Sequence, residues 1–255
     1  RDRSVSRGLG DVYKRQGTML QVRNERGTLV YSKIKSKEAS EKIVYNTLTV
    51  PVRERFQLVL ADGTKVFLNS GSEMRYPERF GKARREVFLK GEAWFEVAKD
   101  SAREFWVHAG AMDVKVLGTS FNVKAYERLE TVATTLVEGS VEVACAGKSF
   151  QIVPGEQFVY DKNNRVMDVR MVDTESYVSW KDGYYKFRQT TLEEIMETLS
   201  VWYGLNVFYV NESAKQVEFT GKVRRYEDAR MLLDKFEQTG DVVFDIKGNL
   251  SLIHI

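Results

Sequence analysis

The sequence has very few of the residues from which disulfides and metal sites are built. Its 255 residues include one cysteine, Cys145, and two histidines, His108 and His254. One cysteine cannot form a disulfide within the chain, and the count excludes a site with several cysteine or histidine ligands. We therefore predict no metal and no cofactor. Cys145, in an apolar strand-like stretch, is interpreted as a small core residue.

The chain also lacks a basic surface signature and a long apolar run. Its net charge is +3, and residues 1–16 alone carry five basic and two acidic residues. The rest is neutral, which argues against nucleic-acid binding because that function needs a basic folded face. Residues 1–16 show no periodicity, and we expect them to be a non-native tail. No run approaches the ~20 apolar residues that span a bilayer.

Catalytic motifs are missing as well. The chain has no phosphate-binding glycine loop and no serine elbow to act with His108. Glu92, Glu96 and Glu138 lie near predicted turns, but a glycosidase pair must be held ~5–9 Å apart and nothing in the sequence fixes such spacing. Glu92 and Glu138 adjoin glycines and are interpreted as turn residues. We predict that the chain is not an enzyme.

Short β-type segments separated by glycine turns dominate the sequence from about Asn46 onward. Asp62-Gly63 predicts a type I′ hairpin, and Pro154-Gly155 predicts a type II turn. The run Val87–Val97 alternates in polarity on both sides of Gly91-Glu92, which we interpret as a hairpin with one buried side. These features predict a mainly β N-terminal domain of sandwich or jelly-roll type.

The pattern of apolar residues changes near Val169, and helical periodicity appears after this point. Thr191 and Glu194 form a capping box at a helix start, and Gly204 provides its stop. A second helix presents one apolar face: Ala229, Leu232, Leu233 and Phe236. The order β-α-β followed by β-α-β-β predicts a small α+β domain with two split βαβ units. We therefore divide the chain into a tail (1–16), a linker (17–45), a β domain (46–170) and an α+β domain (171–255).

Two groups of residues offer further interpretations. The Thr119 hydroxyl could attack the carbonyl of Gly118, where no Cβ blocks the approach. The plain alternative is a turn with Gly118 at positive φ. Trp94 and Trp106, if exposed, could stack on sugar rings, so a carbohydrate-binding β-sandwich is an alternative function.

Six segments of the β domain form a recognisable series. They are LADGTKVFLNSGSEMRYPERF (60–80), VFLKGEAWFEVAKD (87–100), FWV (105–107), VKVLGTSFNVKAY (114–126), TLVEGSVEV (135–143) and PGEQ (154–157). Taken together and in this order, they resemble the FecR family of transmembrane anti-sigma factors of Gram-negative bacteria, particularly its Bacteroidetes-type members. The C-terminal part is similar to the secretin/TonB short N-terminal domain.

The resemblance implies a periplasmic signalling protein. Family members combine a cytoplasmic sigma-binding segment, one membrane helix and a periplasmic region, and this chain would be the periplasmic region, anchored in the inner membrane. Its partners would be the signalling domain of a TonB-dependent receptor and, through the cytoplasmic segment, an extracytoplasmic-function sigma factor. Some members cleave themselves at the Gly–Thr pair, which here is Gly118-Thr119.

A partner strand could pair with an exposed edge of the α+β domain, since edge strands offer unpaired backbone groups. We predict that edge at residues 216–223. The side chains expected to contact the partner are Gln216, Glu218, Thr220 and Lys222.

Overall fold

The computed structural model describes residues 20–25, 28–33, 43–225, 228–247 and 250–254. The chain divides into two compact units. The first contains residues 1–50 and 55–174, and the second contains residues 51–54 and 175–255. The tail predicted at residues 1–16 lies outside the described residues.

The first unit is built from β-strands. They form two sheets that share one strand, and side chains from both sheets join a single hydrophobic core. The mainly β fold is therefore confirmed. The strands are β1 (Leu20–Glu25), β2 (Thr28–Lys33), β3 (Tyr45–Thr49), β4 (Phe56–Val59), β5 (Lys65–Leu68), β6 (Glu73–Pro77), β7 (Arg85–Glu96), β8 (Phe105–Ala109), β9 (Met112–Val116), β10 (Ser120–Ala125), β11 (Thr131–Glu138), β12 (Val141–Cys145), β13 (Lys148–Ile152), β14 (Glu156–Asp161) and β15 (Val166–Met171).

The shared strand, β7, corrects the predicted hairpin at Gly91-Glu92. It is one continuous strand whose first half pairs with β6 and β8 and whose second half pairs with β5 and β10. The change of partner strands falls at Gly91, where φ is 108° and a Cβ would lie 2.7 Å from the Cα of Ser72. Only glycine fits such a close approach, so the residue that resembled a turn lets the strand change sheets.

The Asp62-Gly63 hairpin joins β4 and β5 as predicted, but its turn is of another type. A type I′ turn needs positive φ at both central residues. Gly63 has φ 90°, but the φ of Asp62 is not positive. The Gly63 N–H donates to the Leu60 carbonyl, which closes a turn ending in a left-handed glycine. Asp62 stays in an ordinary conformation because its carboxylate accepts from the Thr64 N–H and hydroxyl.

The segment predicted as a linker, residues 17–45, contains regular structure. Strands β1 and β2 pair with each other in antiparallel fashion, and β2 pairs in parallel with β4. The partner strand is distant in sequence, so the polar composition of this segment did not reveal the pairing.

Where the second unit is described, it combines three α-helices with two small sheets, so the predicted α+β class is confirmed. The two-stranded sheet pairs β16 with β18, and the three-stranded sheet has the order β17-β20-β19. Its elements are α1 (Thr174–Val178, beginning at the boundary), β16 (Tyr184–Thr191), α2 (Leu192–Tyr203), β17 (Asn206–Tyr209), β18 (Glu218–Arg224), α3 (Ala229–Glu237), β19 (Val243–Lys247) and β20 (Leu250–His254), with 3₁₀ helices at Ser179–Asp182 and Glu212–Gln216.

The predicted ends of α2 are confirmed. The Thr191 hydroxyl accepts from the backbone N–H of Glu194, and Gly204 ends the helix in a left-handed conformation with φ 70°. The predicted apolar face of α3 is buried as well. Local capping interactions therefore determine where α2 begins and ends, and the 3.6-residue periodicity determines which face of α3 is buried.

Candidate functional site

Gly118-Thr119, the first candidate site, lies between β9 and β10 and is held against the chain that follows β7. The Val97 N–H donates to the carbonyl of Thr119 at 3.0 Å, and the Asp100 N–H donates to the carbonyl of Leu117 at 2.9 Å. The backbone on both sides of the Gly118–Thr119 peptide bond is thus fixed by hydrogen bonds.

Gly118 is required here for space rather than for its backbone angle. It is not among the glycines with positive φ, so the predicted left-handed turn is wrong. A Cβ at this position would lie 2.6 Å from Cγ and 2.8 Å from Cα of Lys99. The close approach of residue 99 leaves no room for a larger side chain.

The Thr119 side chain is buried and enclosed by a second glycine. Only 5% of the residue is exposed, and its hydroxyl donates to the carbonyl of Ser140 at 3.0 Å. Gly139 has φ 97°, and a Cβ there would lie 2.8 Å from Thr119 Oγ1. For the hydroxyl to attack the Gly118 carbonyl, it must leave Ser140 and lose its proton to a base.

A buried arginine supports the same region. Arg85 has no exposed surface, and its Nη1 binds Asp62 Oδ2 and the carbonyl of Ala98, each at 2.8 Å. Its Nη2 donates to the carbonyls of Arg103, at 2.9 Å, and Leu117, at 3.5 Å. The sequence did not reveal this role, because Arg85 lies between the charged residues Arg84 and Glu86 and resembles a surface residue.

The second candidate site is the edge strand β18. Among the described residues, β18 pairs with β16 only, so its other edge has no strand neighbour. Glu218, Thr220 and Lys222 lie on this strand and are exposed, whereas Gln216 ends the preceding 3₁₀ helix. Three of the four predicted partner contacts are therefore on one strand, and the fourth lies just before it.

The tryptophans proposed for sugar stacking are not arranged for it. Trp94 is 4% exposed, so the exposure that sugar stacking requires is absent. It lies on the second half of β7, between β5 and β10. Trp106 is half-buried, its ring stacks at 15° on His108, and Lys115 Nζ lies 5.7 Å from its centroid. Neither ring offers the free face that a sugar ring needs.

Metal and thiol chemistry find little support in the part of the chain that is described. No group of three or more His, Cys, Asp or Glu residues there could hold a metal ion. His108 Nδ1 lies 2.7 Å from Asp113 Oδ1, and its ring stacks on Phe88. Burial raises the pKa of the Cys145 thiol, which disfavours the reactive thiolate.

None of the described helices is long and apolar enough to cross a membrane.

Comparison with known proteins places both units in one family. The family model described as "FecR protein" matches residues 46–142, and the model described as "FecR, C-terminal" matches residues 184–253. No curated protein matches the chain.

Two crystal structures of a candidate anti-sigma factor from Parabacteroides distasonis ATCC 8503 are similar over most of the chain. The first has a TM-score of 0.74 and 28% identity, and covers 82% of this chain and 98% of its own. The second has a TM-score of 0.74 and 27% identity, and covers 83% and 99%. The chain therefore belongs to the FecR family of anti-sigma factors, as its sequence predicted.

Proposed function

We propose that this chain is the periplasmic signalling part of an anti-sigma factor. It binds the signalling domain of a TonB-dependent outer-membrane receptor, and the receptor's ligand state passes inward to an extracytoplasmic-function sigma factor. Segments outside this sequence anchor it in the inner membrane. The match of both units to FecR family models supports the signalling role.

The observation that supports the binding step is the edge of β18 that has no strand neighbour among the residues described. An edge strand can accept a strand from a partner protein, which supplies main-chain hydrogen bonds along its length. β18 offers seven residues without interruption, and most of its side chains are exposed. β16, in contrast, is interrupted by a bulge at Gln189, where φ is 47°.

Binding to the purified signalling domain of the receptor encoded beside the gene tests this proposal. Calorimetry should detect a complex with the intact chain. Glu218→Pro should abolish it, because proline removes a backbone donor and obstructs strand pairing. Glu218→Lys should also abolish it while leaving the strand intact. Glu127→Lys, on the first unit with a 78% exposed side chain, is the matched control.

Circular dichroism must show that each variant is folded. If both Glu218 variants are folded and bind as well as the unaltered chain, β18 is not the docking edge. If the unaltered chain itself fails to bind any receptor signalling domain, the receptor-binding function is refuted.

We also propose that Gly118-Thr119 is a self-cleavage site. Attack of Thr119 Oγ1 on the Gly118 carbonyl carbon would break the Gly118–Thr119 C–N bond, form an ester and transfer the hydroxyl proton to the released amine. Water would then hydrolyse the ester. Mass spectrometry of stored protein should find residues 1–118 and 119–255 as separate fragments, and Thr119→Val should stay intact. An unaltered chain that remains whole refutes the proposal.

A further inference from the structure

The outward face of the two-stranded sheet carries four basic side chains, and three of them form no salt bridge within the part of the chain that is described. Lys186 and Arg188 extend from β16, and Lys222 and Arg224 extend from the neighbouring β18. Arg188, Lys222 and Arg224 are exposed, and they make no salt bridge within the described residues. Residues 175–255 nevertheless contain thirteen acidic and ten basic residues. The positive charge is thus concentrated on one face of an otherwise acidic unit.

This basic sheet face already holds one carboxylate. Glu175 from α1 lies with Oε2 2.5 Å from Lys186 Nζ and accepts from the Tyr184 hydroxyl at 3.4 Å. The Lys222 ammonium lies 3.6 Å from the centroid of the Tyr184 ring. Lys186 of β16 therefore has an acidic partner, whereas the cations of β18, next to the free edge, have none among the described residues.

The charges along β18 are also ordered. Alternate residues share a face, and from Glu218 to Arg224 the outward positions are negative, neutral, positive and positive. A strand added at the free edge would place its own outward side chains opposite these, with Cβ atoms ~4.5–5.5 Å away. Opposite charges at that distance stabilise the pairing, and like charges destabilise it.

We infer that the partner docks on β18 through a strand whose outward positions have the complementary order: acidic opposite Lys222 and Arg224, and basic or neutral opposite Glu218. The inference rests on the proposed function in that the partner is taken to be a protein strand. It adds the charge pattern by which that strand is selected. Specificity of this kind combines favourable pairs for the right partner with repulsion of the wrong one.

Two synthetic peptides test the charge pattern without the receptor. In the first peptide, Lys, Thr, Glu and Glu are placed to face Glu218, Thr220, Lys222 and Arg224 in that order, with valines between them. In the second peptide, every charge is reversed. Nuclear magnetic resonance titration of the intact chain should show that only the first shifts the amide signals of residues 184–188 and 218–224. Its affinity should fall about tenfold in Lys222→Glu/Arg224→Glu. It should also fall as salt rises from about 0.05 to about 0.5 M, because exposed charges are screened.

The matched control is Lys148→Glu/Lys235→Glu, which makes the same net charge change at exposed positions elsewhere. It should leave the affinity for the first peptide unchanged. Equal binding of the two peptides, or equal loss in the two double variants, overturns the inference. Binding of vesicles rich in phosphatidylglycerol with no response to either peptide also overturns it, and assigns the basic face to a lipid surface.

The receptor domain separates this inference from the proposed function. If Glu218→Pro abolishes receptor binding while Lys222→Glu/Arg224→Glu leaves it unchanged, the docking edge stands and the charge pattern fails. If no receptor domain binds the unaltered chain, the proposed function fails, and the peptide titration still decides the charge pattern.

Discussion

Removing the carboxylate of Asp62 should destabilise the first unit strongly. Arg85 is fully buried, and Asp62, with a side chain 6% exposed, is the acidic group bound to its guanidinium. The other acceptors of Arg85 among the described residues are backbone carbonyls, which cannot balance its charge. Asp62→Ala therefore leaves an uncompensated charge in the interior, which costs about 3–5 kcal/mol.

An exposed ion pair in the same unit gives the matched control. Lys90 and Glu127 lie 3.3 Å apart with side chains 65% and 78% exposed. Because water screens such a pair, Glu127→Ala should cost less than about 1 kcal/mol. The chemistry of the two pairs is comparable, and burial is the main difference.

Urea unfolding read by hydrogen exchange and mass spectrometry measures the two costs. Peptides covering β4 and β5 report on the first unit separately from the second. With a slope of about 2 kcal/mol per molar urea, Asp62→Ala should lower the midpoint by about 2 M. Glu127→Ala should shift it by less than about 0.5 M.

A double variant tests the reason for the effect. If the cost comes from an unpaired buried charge, Asp62→Ala/Arg85→Met should cost less than the sum of the two single changes. Strictly additive costs would show that the two side chains act independently. A loss below about 1 kcal/mol for Asp62→Ala would refute the reasoning outright.

Three further changes have definite expected outcomes. Gly91→Ala should cost at least about 2 kcal/mol in thermal unfolding, because its Cβ would meet Ser72. Gly110→Ala, also at positive φ but in open space, should cost about 1 kcal/mol. Thr191→Ala should destabilise the second unit by about 1 kcal/mol through loss of the α2 cap. The hydrogen bond from Arg103 lowers the pKa of Asp100, so its stabilisation is present above about pH 4 and is lost as the pH falls further. Asp100→Asn should therefore lower stability at neutral pH, and the difference from the unaltered chain should shrink in acid.

In the second unit, α2, α3 and the strands could be predicted from the sequence, whereas α1 and the division of the strands between two sheets could not. Its helix ends depend on local chemistry, such as the Thr191 cap and the left-handed Gly204, and its apolar positions recur at helical spacing. The charge order along β18 was also readable, since Glu218 and Lys222 were identified and Arg224 follows at the same alternation.

The first unit was predicted in its class but not in its connections. Gly91 could not be distinguished from a turn glycine, because the neighbour that forbids a Cβ is Ser72, which lies just before β6 and is distant in sequence. The burial of Trp94 depends likewise on strands β5 and β10 at its sides. The burial of Arg85 depends on carbonyls that are up to 32 residues away. Such contacts between distant residues leave no periodic trace in a single sequence.

The continuity of β7 has a consequence for how the first unit opens. Because the same strand is the neighbour of β6 and β8 at one end and of β5 and β10 at the other, neither sheet can detach while the other remains complete. Amide hydrogens before and after Gly91 should exchange with solvent at the same free energy, that of complete unfolding. A pull applied to either sheet would then be resisted by both until they rupture in a single event.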